Sequence, residues 1–266
     1  MNRLGVRFAL RGAAALILLA AAGCARLGSE RNGPVTTKTG AGTTTAPAAA
    51  EVAGRNNALV RFVHAVPGLA AVDLYAGDGR AFDGVAYKYV TAYRELPSAS
   101  GVYRLRLAGQ EAGEPLAEKT EGFGTGRHHT VVALPAGGTG LFSKAEGVEL
   151  RFVADELEPP SAGKARVRLV NASPDLGEVD LYAAGRAESV LKGARAGGAT
   201  AYAETEPTDG GLEVRRSGEN ITTLAVPNAK VEAGKLYTIF VVGATKGASK
   251  LESFVVEDNF GAAPGK

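Results

Sequence analysis

The chain has 266 residues, 45% of them hydrophobic, with 36 glycines, one cysteine, no tryptophan and a formal net charge of +2. That length suits two ordinary domains with packed cores, the lack of any basic run excludes a nucleic-acid footprint, and a lone cysteine excludes a disulfide within the chain. Frequent glycine with little aromatic mass suits many short strands joined by tight turns.

The chain begins with a basic stretch from Arg3 to Arg11, an apolar run from Ala13 to Ala22, and Gly23-Cys24. The apolar run is too short to cross a bilayer as a stable helix, so residues 1–23 read as a signal peptide. Residues 1–23 hold no acid, and loss of Arg3, Arg7 and Arg11 would bring the net charge to about −1. The stretch Leu19-Ala20-Ala21-Ala22-Gly23-Cys24 resembles a bacterial lipoprotein signal, with Ala21 where that pattern prefers leucine. The resemblance implies lipid attachment at Cys24 and a membrane anchor. Ala25 after the cysteine implies outer-membrane sorting if the source has two membranes. Several acyl chains on one residue anchor stably where one does not. A secreted, soluble protein without lipid is the competing expectation. Residues 24–57, rich in Thr, Ala and Gly with Pro34 and Pro47, cannot bury enough surface to fold. They are expected to be a flexible linker with a mean reach of roughly 30 Å.

The folded part is expected to be a repeat. Arg61-Phe-Val-His-Ala-Val-Pro-Gly-Leu-Ala-Ala-Val-Asp-Leu-Tyr75 and Arg168-Leu-Val-Asn-Ala-Ser-Pro-Asp-Leu-Gly-Glu-Val-Asp-Leu-Tyr182 align without a gap, identical at nine of fifteen positions, at an offset of 107. That period fits one whole small domain per copy. Module 1 is expected over 58–155, a stiff Pro159-Pro160 linker over 156–163, module 2 over 164–260, and a disordered tail over 261–266. Without disulfides each module must be stable through its own core. Alternation puts Val60, Phe62 and His64 on one face of the first strand, matched by Val167, Leu169 and Asn171. Arg61 and Val63, matched by Arg168 and Val170, lie on the other. After the Pro67 and Pro174 turns, Val72 and Leu74 oppose Asp73 and Tyr75, and Val179 and Leu181 oppose Asp180 and Tyr182. Further strands are expected over Val85–Tyr93, Val102–Leu107, Leu116–Thr120, His129–Leu134 and Val148–Val153. The second copy supplies Ala199–Ala203, Leu212–Arg216, Thr222–Val226, Tyr237–Val242 and Ser253–Val256. Asp78-Gly79, Asp83-Gly84, Gly137-Gly138 and Asp209-Gly210-Gly211 are the expected turns. The fold class is therefore all-β: two tandem immunoglobulin-like or transthyretin-like β-sandwich modules.

The paired Val-Arg-Phe-Val-His-Ala-Val-Pro and Val-Arg-Leu-Val-Asn-Ala-Ser-Pro-Asp segments resemble the bacterial domain-of-unknown-function family 4397. So do the Val-Asp-Leu-Tyr runs and Ala233-Gly234-Lys235-Leu236-Tyr237-Thr238. The resemblance covers roughly 58–260 and implies exported or lipid-anchored all-β modules, often in tandem. It carries no catalytic residues. Copy one departs from it with Gly68 for Asp175 and His129 for Tyr237.

Candidate chemistry is sparse. The three histidines are His64, His128 and His129, and the second copy keeps no matching ligand set, so no metal and no cofactor are expected. Tyr237 stands where a tyrosine corner would bond back to loop backbone, and His129 could do the same. Asp73 and Asp180 recur and are read as turn braces. Tyr75 and Tyr182 recur beside them as structural residues. Asp155-Glu156 and Glu257-Asp258 each end a module, where oxygen ligands could hold calcium, but no spaced Asp-x-Asp loop accompanies them. Gly122-Phe-Gly-Thr-Gly126 leads into a strand and lacks the features of a phosphate loop. No nucleophile elbow exists. Tyr87, Tyr89 and Tyr93 fall at period two and could line one strand face as a ligand-binding patch. The expectation is a non-enzymatic, lipid-anchored cell-envelope protein, binding protein or polysaccharide or serving as a structural module. A metal-dependent enzyme on the same scaffold is the alternative.

Overall fold

The computed structural model describes residues 56–137 and 147–258. Cys24, the linker as far as residue 55 and the 261–266 tail lie outside the described residues. No helix occurs among the described residues, which are strands, turns and loops throughout.

Module 1 contains β1 (Asn57–His64), β2 (Val72–Ala76), β3 (Gly79–Val85), β4 (Arg94–Pro97), β5 (Gly101–Leu107), β6 (Ala117–Glu121), β7 (His128–Pro135) and β8 (Val148–Asp155). They form two sheets, ordered β4-β1-β7-β8 and β3-β2-β5-β6. Module 2 contains β9 (Ala165–Asn171), β10 (Val179–Ala183), β11 (Ser189–Ala194), β12 (Gly198–Ala199), β13 (Ala203–Thr205), β14 (Leu212–Arg216), β15 (Thr222–Val226), β16 (Leu236–Val242) and β17 (Glu252–Glu257). Its sheets run β12-β9-β16-β17, with β13 also on β9, and β11-β10-β14-β15. In each module the first strand runs parallel to the next-to-last, β1 to β7 and β9 to β16. The other pairings are antiparallel. Each module is therefore a two-sheet β-sandwich, as the alternating strands led one to expect.

Alternation explains each sandwich core. Val60 and Phe62 of β1 meet Val72 and Leu74 of β2, Leu105 of β5 and Val131 of β7. Val167 and Leu169 of β9 meet Val179, Leu181, Val214 and Ile239 in the same places. Val60 and Val167 are each fully buried in these equivalent cores. Burying a side chain of this size contributes about 1.5–3 kcal/mol.

The structure corrects several local expectations. The expected strand Val85–Tyr93 ends at its first residue, because β3 runs Gly79–Val85 and the chain then becomes a loop. Asp83-Gly84, expected as a turn, lies inside β3. Gly84 adopts φ 60 and makes a β-bulge where the β2–β3 register slips. β11, absent from the expected strands, has the same device: Gly193 at φ 76 beside a register slip against β10. The expected Ala199–Ala203 strand is broken into β12 and β13, and β4 was also unanticipated.

Both faces of β1 and β9 are buried, because the second face of each sheet covers the other module. Val63, Ala65, Val132 and Leu134 of module 1 form a third core with Val170, Ala172, Phe240 and Val242 of module 2. The expectation that each module relies on its own core alone is therefore corrected: the two sandwiches share buried surface. Phe240 also stacks on Phe254 with ring centroids 4.8 Å apart.

Candidate functional site

The polar centre of the molecule lies at this junction, beside the shared apolar core. Arg61 of β1 and Arg168 of β9 are 3% and 1% exposed. Arginine is almost never so buried unless paired. Each guanidinium bonds first within its own module: Arg61 Nε donates to Thr130 Oγ1 at 2.9 Å, and Arg168 Nε donates to Thr238 Oγ1 at 2.8 Å. Each then crosses to the other module. Arg168 Nη2 donates to Asp155 Oδ1 at 2.5 Å. Arg61 Nη2 lies 2.6 Å from Asp258 Oδ1, off the hydrogen-bonding direction, so this contact is ionic.

The carboxylates are completed by their own modules. Thr130 Oγ1 and Tyr93 Oη each donate to Asp155 Oδ2 at 2.7 Å. Thr238 Oγ1 and Tyr202 Oη donate to Asp258 Oδ2 at 2.6 and 2.7 Å. The tyrosine rings also lie against the cations: the Arg61 guanidinium carbon is 5.0 Å from the Tyr93 centroid, and that of Arg168 is 4.7 Å from Tyr202. Burial alone would raise the Asp155 carboxyl, but Arg168 and Arg61, with the bonds from Tyr93 and Thr130, hold it below the usual carboxylate range. Burial, then Asp155, pushes the Tyr93 phenol well above its ordinary value, so it stays a protonated donor. Asp155 and Asp258 are thus engaged by arginine, threonine and tyrosine.

The rim repeats the pattern. The β3–β4 loop is tied to β1 by Lys88 N–H to the His64 carbonyl at 2.8 Å, and the β11–β12 loop to β9 by Gly197 N–H to the Asn171 carbonyl at 2.8 Å. Both residues adopt the left-handed conformation, Lys88 at φ 64 and Gly197 at φ 69. Lys88 Nζ pairs with Glu252 of β17. A Cβ on Gly197 would lie 3.2 Å from Arg151 Nη2 and Glu149 Oε1 of β8. Each loop therefore seats against the last strand of the other module.

The tyrosines expected as one exposed patch are separated by this geometry. Tyr93 is half-buried with its hydroxyl in the charge cluster, Tyr87 packs partly buried against the shared core, and Tyr89 projects to solvent, at 60% exposure. They do not form a strand face, because the chain leaves β3 at Val85 and turns at Lys88.

The other candidates hold loops. His64 Nδ1 accepts the Val66 N–H at 3.2 Å, and its Nε2–H donates to the Ala70 carbonyl at 3.1 Å. Asn171 makes the same two bonds, accepting the Ser173 N–H at 3.2 Å and donating to the Gly177 carbonyl at 2.8 Å. His129 Nε2 accepts the Gly124 N–H at 3.1 Å, five residues back, just as the Tyr237 hydroxyl accepts the Glu232 N–H at 3.2 Å. Burial lowers the pKa of His64, His128 and His129, which favours the neutral rings that can accept such bonds. His128 packs edge-on against Tyr93, 5.0 Å between centroids. Asp73 accepts N–H bonds from Gly84 at 2.7 Å and Gly109 at 3.1 Å. Asp180 accepts from Gly193 N–H at 2.9 Å and Ser217 Oγ at 2.7 Å. These aspartates brace the bulges of β3 and β11. Tyr75 and Tyr182 lie beneath Arg80 and Arg215, 5.8 and 4.1 Å from guanidinium carbon to ring centroid. Asp175, which module 1 replaces with Gly68, accepts N–H bonds from Thr245 at 2.8 Å and Lys246 at 3.0 Å, clamping the β16–β17 hairpin to the β9–β10 loop.

The charge cluster is not among the features expected from sequence. Arg61 with Val63 and Arg168 with Val170 are expected on one strand face, and Asp155 and Asp258 stand at equivalent module ends. An arginine between apolar residues on a face shared with valine, repeated in both copies, was the available signal.

The family model for a domain of unknown function, DUF4397, matches the chain twice, over residues 58–182 and 172–266. No curated protein matches the chain.

Proposed function

Because the chain belongs to the DUF4397 family across both modules, we propose that it is a non-enzymatic, lipid-anchored protein of the cell envelope whose paired sandwiches act as one rigid body for binding protein or polysaccharide. One observation carries this reading. The groups best suited to acid–base or metal chemistry are engaged in structure: His64, His129, Asp73 and Asp180 satisfy loop backbone, and Asp155 and Asp258 neutralise buried arginines. A side chain whose lone pairs already hold the fold has little capacity left for a substrate. Loops, edges and the exposed Tyr89 and Ile221 remain for recognition. Cys24 supplies the anchor and residues 25–57 the spacer.

Mass spectrometry of the mature N-terminus, with fractionation of a Cys24→Ser variant, tests the anchored placement. The expected result is a chain beginning at acylated Cys24, with the variant moving from the membrane to the soluble fraction. An unmodified N-terminus elsewhere, with no change in fractionation, overturns it. Capture of envelope components by the whole chain tests the binding role, and recovery of a specific protein or polysaccharide is expected.

A further inference from the structure

The two ion pairs at the junction are reciprocal. Arg61 of module 1 meets Asp258 of module 2, and Arg168 of module 2 meets Asp155 of module 1. Arg61 and Arg168 are equivalent in the repeat, and so are Asp155 and Asp258, which stand at or one residue past the end of the last strand of their modules. Thr130 and Thr238 bridge them in the same way, and Tyr93 and Tyr202 cap them in the same way. The apolar half obeys the same rule, with Val63, Ala65, Val132 and Leu134 answered by Val170, Ala172, Phe240 and Val242. Contacts in which residue i of one unit meets j of the other, and j meets i, define an isologous, twofold type of interface. This one is normally seen between separate subunits, yet here both halves belong to one chain.

We propose that this junction is a self-docking surface that a second copy of the chain can occupy in trans, module 1 of each copy seating on module 2 of the other. The surface fits that partner because each face carries its own cation and its own anion at the matching places, so charge complementarity is built in whichever copy supplies the face. The hinge permits it. Residues 156–163 between the modules contain no buried residue, so opening them uncovers no core of their own. Pro159-Pro160 stiffens that segment, which favours an extended arm over a tight return. Exchange of identical elements through such a hinge is a low-cost route to a dimer. Within one chain the covalent link gives a high effective concentration, so the closed monomer competes strongly at low protein concentration. If the chain is anchored as proposed above, crowding of copies on a membrane favours the exchanged pair.

Two full-length variants test this. One carries Arg61→Asp with Arg168→Asp, leaving only acids at the four cluster positions. The other carries Asp155→Arg with Asp258→Arg, leaving only arginines. Neither can form an opposite-charge junction with itself, whereas exchange between them restores all four pairs. The two are unfolded in urea, mixed in equal amounts, refolded together and weighed by light scattering and native mass spectrometry. The expected result is a one-to-one heterodimer as the dominant folded species, melting well above either variant refolded alone. A co-refolded mixture that yields only folded monomers overturns the proposal. A third chain, with wild-type faces and residues 158–162 deleted, covers the case in which four buried substitutions prevent folding. Shortening the link is expected to disfavour closure within one chain and shift it to a dimer, and a chain that stays a folded monomer at every concentration contradicts the proposal.

Discussion

Replacing Asp155 with alanine is expected to lower the stability of the chain by about 3–5 kcal/mol, the usual cost of stranding a buried charge. The substitution strands more than one group. Arg168, 1% exposed, loses its carboxylate at 2.5 Å. Arg61 loses a second anion 3.9 Å from its Nε. The hydroxyls of Tyr93 and Thr130 lose their acceptor. Two buried guanidinium groups would then face each other with only Asp258 between them. Asp155→Asn keeps the shape and an acceptor oxygen but removes the charge, so its loss should fall between wild type and Asp155→Ala. Urea denaturation compared at constant slope measures both. A loss below about 1 kcal/mol for Asp155→Ala, the scale of an exposed ion pair, would mean that water reaches the cluster.

Phe240→Ala is expected to cost a similar amount, about 3–5 kcal/mol, through lost burial and the cavity left behind. Phe240 has no exposed surface and belongs to the core between modules, not to the core inside module 2. Its equivalent in module 1 is Val132, also fully buried in that shared core. Phe240→Val should therefore be milder than Phe240→Ala, since valine already serves at the matching position. Thermal or urea unfolding reads the difference. Equal and small losses for both would place Phe240 at a wet, loosely packed surface.

Much of this architecture was legible in the repeat. Alternation in β1 and β9 identified Val60, Phe62, Val167 and Leu169 as core, and the recurring Asp73 and Asp180 pointed to backbone bracing. What escaped has physical reasons. Asp-Gly within β3 carries the chemistry of a turn, and only the tertiary bond from Asp73 to the Gly84 N–H converts it into a bulge. Tyr87, Tyr89 and Tyr93 keep period two, but Lys88 at φ 64 breaks the pleat that gives the period meaning. A lysine there hides the break, whereas Gly197 in module 2 announces it. The parallel pairing of β1 with β7 joins segments far apart in sequence, and no local pattern encodes it. The charge cluster was hidden most deeply, since its members come from five strands, two loops and the residue after β17 across two modules. Arg61 on a sheet face is ordinarily a solvated residue, and nothing near it in sequence says that a second sheet covers it.

Those buried pairs also bear on how the molecule behaves as a whole. Separating the modules would expose the shared apolar core and leave Arg61, Arg168, Asp155 and Asp258 without their opposite charges. That penalty ties the stability of one sandwich to the other, even though each has a core of its own. A jointly folded pair presents its loops in fixed relation and is poorly described as two beads moving independently on a string.

Pulsed hydrogen exchange through a urea titration of the full chain tests this coupling most directly, by following amide protection in β7 of module 1 and β16 of module 2 together. The account predicts that both strands lose protection in one shared transition, at the same urea concentration. Loss of protection in one strand while the other remains fully protected would show two independent modules and contradict it.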